Sequence, residues 1–436
     1  MGSAALKVHG AWAIGLVAAF VIGSHFPLDS TSKSEAELGS GTQESAVRVS
    51  SRGSSSNASS GALTRAKNGF QTSGEALTEV FPKRLDAADL DSLAMVAFTE
   101  PNQVMRRLAF AKLLASVTAE NAPQIREQLK ELGAGGQELR DFNYAWGALA
   151  GRDAFNIAAQ GNKRDLESLI SGWAAVDPDG AIAMLDQLPD DLLGEKRRLE
   201  SGLVAGLADR NQDEAADFVQ SLADTGNENA RRHMSAVVGE VLRSEGHEQA
   251  SIWVERLTDG PLKGVAMDRI AGRYVRDNPE AASRWIAQFA SEEYAAEAVR
   301  EVGKEWAEKN PIAAVTWLDQ LPEGKGQRDG LNSAFGDWED SDPAAAGKYL
   351  NSMTDSPKRD SAISGFAIGL AYQEPATAVA WANEISDSGL RNSALIQTGQ
   401  TYFQRDPEGA KAWLAASGLP AALQTKIQEA PRRRRR

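Results

Sequence analysis

The sequence contains no cysteine, and this absence removes several kinds of chemistry. It excludes disulfide frameworks, thiolate zinc sites, iron–sulfur clusters and cysteine nucleophiles. It leaves the compartment open, because a chain without cysteine survives in both oxidising and reducing surroundings. Histidine is nearly as scarce, and of the four only His233 and His247 lie in the main part of the chain. Histidine-based catalysis or metal binding therefore has few candidates.

The charge of the chain is unevenly distributed. The formal net charge is −13, the charges between Met1 and Val80 sum to zero, and the run Arg432–Arg436 carries +5, so the body between them carries −18. An acidic body repels phosphate backbones, which argues against nucleic acid as its partner. We predict that residues 428–436 form a disordered, Arg-rich tail. Alternatively, the arginines bind a polyanion or the acidic surface of the body itself.

The front of the chain has the composition of a membrane segment followed by a linker. The stretch Ala11–Phe26 contains no Asp, Glu, Lys or Arg, and its length is close to the roughly 17–25 residues that span a bilayer. We predict a signal-anchor or transmembrane segment at residues 1–27, with signal cleavage as the alternative. Lys7 before the apolar stretch favours a body outside the cytoplasm. Residues 28–79, rich in Ser and Gly, are predicted to form a disordered tether.

The body carries a repeat marked by Asp or Asn followed by proline. Pro178 begins the series, two degenerate copies follow at Gln212 and His247, and five evenly spaced prolines then run from Pro279 to Pro407. We call these eight residues the reference positions. Asp and Asn are good helix N-caps, and proline suits the first helical residue because its missing N–H has no intrahelical partner there. Each reference position is therefore predicted to begin a helix.

The residues after each reference position form one helical face. Apolar or large side chains stand six, seven and ten residues after it, and only Ser417 departs from the pattern. Offsets of three, six, seven and ten lie on one side of an α-helix. At offset three all eight copies have alanine, which is predicted to mark the closest approach of two helices. The alanines are Ala181, Ala215, Ala250, Ala282, Ala314, Ala346, Ala378 and Ala410.

A second helix is predicted before each reference position, where a large apolar residue stands five positions upstream. A unit of helix, turn, capped helix and loop cannot bury its apolar face alone and must stack on its neighbours. We therefore predict an all-α fold. Residues 165–427 are expected to form an α-solenoid of eight two-helix repeats. The period is about 32 residues, which is the interval from Pro279 to Pro311. Residues 80–164 are expected to form an irregular helical N-terminal cap.

The two-helix unit is similar to tetratricopeptide-type repeats, although its period is shorter and the tryptophan–glycine–tyrosine signature of that family is missing. It looks more like the uncharacterised helical-repeat proteins of some bacterial envelopes, which carry a D-P-x-x-A-x-x-W motif. Here that motif is Asp406-Pro407 with Ala410 and Trp413. The resemblance covers roughly residues 165–417. It implies a body in the periplasm or another extracytoplasmic space, attached to the bacterial inner membrane by one N-terminal span or secreted after cleavage. It implies no catalytic residue.

No residue is predicted to be catalytic or to bind a cofactor or a metal ion. Metalloprotease, Walker A, nucleophile-elbow, EF-hand and dinucleotide-binding motifs are all missing from the sequence. His233 and His247 lie well apart in predicted helices and are read as structural. The acidic stretch Trp338–Asp342 is read as an inter-helix turn followed by an N-cap. The tryptophan rows are read as core, because they share the helical phase of alanine and leucine.

These features predict a membrane-tethered, non-enzymatic scaffold that binds an unidentified protein or peptide partner. One alternative is a binding module for an envelope glycan or an anionic polymer. A further alternative is an α-helical enzyme with a site in residues 80–165. Exposed aromatic residues outside the core phase would favour the glycan, and convergent buried carboxylates in a cleft would favour the enzyme.

Overall fold

The structure, a computed structural model, describes residues 87–429 of the chain. These residues form twenty helices and contain no strand, which confirms the predicted all-α class. The predicted membrane segment, the predicted tether and the run Arg432–Arg436 lie outside the described residues. The chain divides into two compact units between Gly206 and Leu207.

The first unit contains six complete helices and most of a seventh, which continues past the division between the units. Their bounds are α1 Ala87–Thr99, α2 Gln103–Ala115, α3 Ala122–Glu131, α4 Gly136–Ala159, α5 Leu166–Val176, α6 Pro178–Asp186 and α7 Lys196–Arg210. Residues 80–164 therefore hold four helices in their described part. Helix α4 changes direction at Gly151, which has a left-handed backbone with φ of 47°.

The second unit contains thirteen further helices, in which longer and shorter helices largely alternate. Their bounds are α8 Gln212–Asp224, α9 Ala230–Glu255, α10 Pro261–Asp277, α11 Pro279–Ala287, α12 Ala296–Ala307, α13 Pro311–Gln320, α14 Lys325–Ser341, α15 Pro343–Ser352, α16 Pro357–Leu370, α17 Pro375–Asn383, α18 Ser388–Arg405, α19 Pro407–Ala416 and α20 Ala421–Gln428. Helices α10, α12, α14, α16 and α18 each pack against the next in this series. Each shorter helix from α11 to α17 packs against the longer helices that precede and follow it in sequence. Helix α19 packs against the preceding α18.

The predicted helix starts are confirmed at the reference prolines. Each of the six reference prolines is the first residue of a helix, from Pro178 in α6 to Pro407 in α19. In five cases the preceding Asp or Asn accepts a hydrogen bond from the backbone N–H three residues later, as from Ala345 to Asp342 at 3.0 Å. Glu374, before Pro375, makes no such bond. Its longer side chain lacks the geometry that Asp and Asn bring to an N-cap.

The predicted helix start at His247 coincides with a break in the helical backbone. Helix α9 continues from Ala230 to Glu255, and its direction breaks at Gly246, where φ is 78° and ψ is 174°. Glycine adopts such a backbone without steric cost. Two helical segments therefore meet at Gly246, and the second begins at His247 without a loop between them.

The alanine three residues after each reference position is completely buried in all eight copies. The residue at offset seven is also buried in every copy, from Leu185 at 5% exposure to Leu414 at 2%. The predicted buried face of the capped helices is therefore confirmed at its two innermost positions. The aromatic residues at offset six range from buried to half-buried, because they lie at the edge of this face.

Glycine allows the long helices to approach each other closely. A Cβ atom placed on Gly365 of α16 would lie 1.8 Å from the backbone oxygen of Asn332 in α14. In the first unit, a Cβ on Gly172 of α5 would lie equally close to the backbone oxygen of Tyr144 in α4. Any larger residue at these two positions would force the paired helices apart.

A recurring polar side chain covers the C-terminal end of a preceding helix in the second unit. The side chain of Gln327 donates to the carbonyl oxygens of Leu318 and Leu321, at 3.0 and 2.8 Å. Arg359, at the equivalent position of the next repeat, donates to the carbonyl oxygen of Leu350 at 3.2 Å. Backbone carbonyls at a helix end have no intrahelical donor, so this side chain satisfies them. The equivalent residues Lys263 and Arg391 also donate to carbonyls of the preceding segment.

Candidate binding groove

A polar groove of about 300 Å³ lies across three helices of the second unit. Helix α10 supplies five of its lining residues, α9 supplies Ser235, and α12 supplies Arg300 and Glu301. Glycine keeps the groove open, because a Cβ on Gly272 would lie 3.3 Å from Oε1 of Glu301. The lining residues are Ser235, Val265, Asp268, Arg269, Gly272, Arg276, Arg300 and Glu301.

Arg269 is the most available charged group of this groove. Its exposed guanidinium lies across α9, where a Cβ on Gly239 would be 3.4 Å from Nη2. Among residues 87–429 it forms no ion pair. By contrast, Arg300 donates to Glu297 at 2.9 Å and to Glu301 at 3.3 Å. A guanidinium without a protein partner keeps all its donors for a ligand.

Asp268 lies half-buried beside Arg269 in the groove. Burial raises the pKa of its carboxyl, and the nearby charges of Glu301 and Glu297 raise it further, while Arg300 and Arg231 lower it. The pKa of the Arg300 guanidinium is raised. Burial lowers it, but the nearby carboxylates together raise it by more. The groove therefore presents charges of both signs at its surface, with Asp268 less well solvated than an ordinary carboxylate.

The aromatic residues are mostly part of the core, as their phase predicted. Every described tryptophan is buried or half-buried, and Tyr372 is the one exposed residue among the described Trp and Tyr side chains, at 62%. Its ring is covered on one face by Arg405, whose guanidinium carbon lies 4.4 Å from the ring centroid. The described surface therefore offers no row of free aromatic rings for stacking.

The two histidines of the body have structural surroundings. His233 is buried within α9. Nδ1 of His247 lies 3.2 Å from Asp277, and its ring packs on Tyr274 at 4.6 Å between centroids. Within residues 87–429 no group of three or more His, Asp or Glu side chains has the geometry to hold a metal ion.

A buried ion pair lies in the first unit. Nη2 of Arg126, in α3, forms a hydrogen-bonded ion pair with Asp165, and both side chains are almost fully buried. The guanidinium also lies over the ring of Trp146, at 5.8 Å. This pair joins α3 to the start of α5 and faces the core, so we assign it to packing.

The structure corrects the reading of Trp338–Asp342. Residues up to Ser341 belong to the last turns of α14, and only Asp342 is an N-cap. Glu339 is completely buried, and neither of its carboxylate oxygens has a hydrogen-bond partner among the described residues. Burial raises the pKa of Glu339, and the charges of Asp340 and Glu374 raise it further.

Sequence reasoning missed Glu339, although the repeat contains a signal for it. Glu339 stands four residues before a reference position, where no other copy has an acidic residue. The other seven copies have Ala174, Ala208, Arg243, Val275, Ala307, Ala371 and Phe403. Six of the other seven copies have an apolar residue here, so a carboxylate departs from the pattern of the repeat. Such departures are expected at functional sites.

No helix among residues 87–429 combines the length and the apolar character needed to cross a membrane. Comparison with protein-family models, with curated proteins and with solved structures returned no match. The resemblance to helical-repeat proteins of bacterial envelopes therefore stays a prediction that rests on the D-P-x-x-A-x-x-W motif of the sequence.

Proposed function

We propose that this chain is a membrane-tethered, non-enzymatic scaffold that binds a peptide segment of a partner protein outside the cytoplasm. Its body is proposed to be an α-solenoid of eight two-helix repeats. The stacking of α10, α12, α14, α16 and α18 in sequence order supports this architecture in the second unit. Such stacking repeats one surface along the chain, and repeat proteins use surfaces of this kind for recognition.

The groove on α9, α10 and α12 is the observation that carries the proposal. It exposes the guanidinium of Arg269, which has no ion-pair partner among the described residues, next to the half-buried carboxylate of Asp268. A peptide presents carbonyl oxygens and carboxylates for the first group and N–H donors or a basic side chain for the second. Charges of both signs within one groove fit this mixed chemistry better than that of a uniformly charged polymer.

The glycan alternative has less support from the described surface. Proteins that bind sugars by stacking need exposed aromatic rings, and Tyr372 already holds Arg405 against one face. An anionic polymer would still be attracted by Arg269 and by the arginines around it. The experiment below therefore includes a polyanion as a separate probe.

Binding of a random-sequence peptide pool to the full-length protein tests the proposal. Wild-type protein should enrich a subset of peptides, and Arg269→Glu should weaken their binding by about tenfold or more. A hydrogen bond to a charged group contributes about 1.5–3 kcal/mol, and about 1.4 kcal/mol corresponds to a factor of ten. Arg284→Glu, an equally large charge change at an exposed position of α11, is the matched control and should leave binding unchanged.

Three outcomes would count against the peptide scaffold. Equal enrichment by wild type and by Arg269→Glu would remove the groove from the proposal. Binding of polyphosphate without any peptide enrichment would favour the anionic-polymer alternative. Absence of peptide binding together with activity in hydrolase screens would favour the enzyme.

The membrane tether is proposed from the sequence alone, since residues 1–79 lie outside the described part of the chain. The apolar stretch Ala11–Phe26 would anchor the body, and residues 28–79 would hold it at a distance from the bilayer. Sequencing the N-terminus of the mature protein separates the two versions of this proposal. An intact N-terminus indicates an anchor, and a start beyond Ile22 indicates a cleaved signal.

A further inference from the structure

Five carboxylates gather where α12, α14 and α16 end. We call this group the acidic cluster: Glu308, Asp337, Glu339, Asp340 and Glu374. The charges of Glu308 and Asp340 act on Asp337, and those of Asp340 and Glu374 act on Glu339. Lys304 is the one base whose charge is found to act on Asp337, and its Nζ also lies 3.7 Å from Oε1 of Glu308. Glu305 acts on Asp337 as well, but it is itself paired with Arg276 at 3.5 Å. No base among the described residues is found to act on Glu339. The other four carboxylates of the cluster therefore have no ion-pair partner among the residues that the structure describes.

Two features of the acidic cluster increase its negative potential. Glu339 is completely shielded from solvent, and within the described part of the chain both of its oxygens and the buried Oδ2 of Asp337 lack a hydrogen-bond partner. The cluster also lies at the C-terminal ends of helices, where the helix dipole already contributes negative charge. Folding alone would favour basic residues at these positions. The arrangement instead suits a cation that is supplied from elsewhere.

The chemistry around the acidic cluster points to a guanidinium as that cation. The carboxylates come from three helices, and within residues 87–429 they do not form a group that could hold a metal ion. Tyr372, at the end of α16 and two residues before Glu374, already binds the guanidinium of Arg405 on its ring. Arginine pairs with carboxylates through several donors and stacks on aromatic faces, so one arginine-rich segment can use both kinds of contact.

We propose that the acidic cluster binds the arginine run Arg432–Arg436 of the same chain. The complementarity of charge is direct, since this run carries +5 and the body carries −18. The described chain ends beside α18, and α18 packs against α16. Helix α20 lies beside α18, where Nε2 of Gln400 donates to the carbonyl oxygen of Lys426 at 2.9 Å.

The length of the segment is sufficient for this contact. Helix α20 packs against α18, and α18 packs against α16. Packed helices are about 8–10 Å apart, so two steps cover about 20 Å. The segment from Glu429 to Arg436 reaches about 26 Å when extended. The tail can therefore reach Tyr372 and Glu374, which follow the end of α16 at the edge of the acidic cluster. A basic segment of another protein could bind the cluster only by displacing it.

Disulfide trapping in the full-length chain tests this contact, because the natural sequence has no cysteine. One variant combines Gln373→Cys, at an exposed position beside Glu374, with Arg436→Cys. A second combines Gln288→Cys, at the end of α11, with Arg436→Cys. At low ionic strength the first pair should form an intramolecular disulfide several-fold faster than the second. In about 1 M salt, where the Debye length is about 3 Å, this advantage should disappear.

A charge variant identifies the residues that attract the tail. Asp340→Asn with Glu374→Gln, added to the first cysteine pair, should slow trapping by about threefold for each carboxylate removed. Glu323→Gln makes the same kind of charge change before the other end of α14 and should leave the rate unchanged. Equal rates for the two cysteine pairs, or rates that ignore both salt and the charge variant, would overturn the proposal. Disulfide-linked dimers in dilute solution would overturn it as well, because the tail would then bind a second copy.

Discussion

Replacing Glu339 with glutamine should stabilise the second unit at neutral pH and have little effect in acid. Burial and the neighbouring Asp340 and Glu374 raise the pKa of Glu339 above its value in the unfolded chain, which is about 4.3. A raised pKa of a folded carboxyl means that the folded state prefers the protonated form. The stabilisation of the folded state by the protonated carboxyl is fully present below about pH 4.3. It is lost as the pH rises through the pKa of the folded state.

The expected size of the effect follows from the surroundings of the side chain. Both oxygens of Glu339 are buried without partners among the described residues, and an unsatisfied buried polar group costs about 1–3 kcal/mol, with charged groups at the upper end. Glutamine has nearly the same shape and cannot ionise. It leaves the same polar group unsatisfied as protonated glutamate does, so only the cost of the charge is removed. We expect a gain of about 1–3 kcal/mol at pH 8, and about 2–4 °C in melting temperature for each kcal/mol.

Thermal unfolding followed by tryptophan fluorescence from pH 4 to pH 8 measures this difference. The stabilities of wild type and Glu339→Gln should coincide near pH 4 and separate as the pH rises. Glu323→Gln, which removes an exposed carboxylate, should track wild type throughout. The fully buried Glu339 is out of reach of the arginine tail. A Glu339→Gln variant less stable than wild type at pH 8 would therefore refute the reasoning, because it would show that the carboxylate has a stabilising partner inside the fold.

Three further substitutions test how the helices are held. Gln327→Leu should lower the urea midpoint by the equivalent of about 2–4 kcal/mol, since it leaves two buried carbonyls at the end of α13 without donors. Gly365→Ala should cost about 3 kcal/mol or more in a core that tolerates little overpacking, because its Cβ would meet the backbone oxygen of Asn332 at 1.8 Å. Gly194→Ala, with no atom within 4 Å of the added carbon, should unfold at the wild-type midpoint. Asp342→Ala should lose about 1 kcal/mol with its N-cap bond, and a larger loss would indicate a role beyond capping.

The groove and the acidic cluster suggest two separate kinds of recognition on the second unit. The groove combines an available guanidinium with a desolvated carboxylate and is proposed for a peptide. The acidic cluster is poor in cations and is proposed for the arginine tail. Their tests are independent, because Arg269→Glu leaves the acidic cluster unchanged and Asp340→Asn leaves the groove unchanged.

The sequence by itself determined the helices that begin at the reference prolines and the residues they bury. An Asp or Asn before proline fixes a helix start through local hydrogen bonding, which needs no tertiary contact. The helical period then decides which side chains share a face, and the eight alanines at offset three are all fully buried. The copy at His247 lacks the proline, and Gly246 with its positive φ separates the two helical segments there instead.

Only the tertiary structure decided which charged residues are exposed, paired or buried. Glu339 and Asp340 are adjacent in the sequence, yet one is completely buried and the other exposed, because one faces α16 and the other faces solvent. The groove likewise depends on residues from three helices and on the missing side chain of Gly272. Local patterns cannot encode such contacts, since a helix face becomes a site only when its neighbour is packed against it. The repeat therefore determined the helices, and the packing between them determined where the uncompensated charges lie.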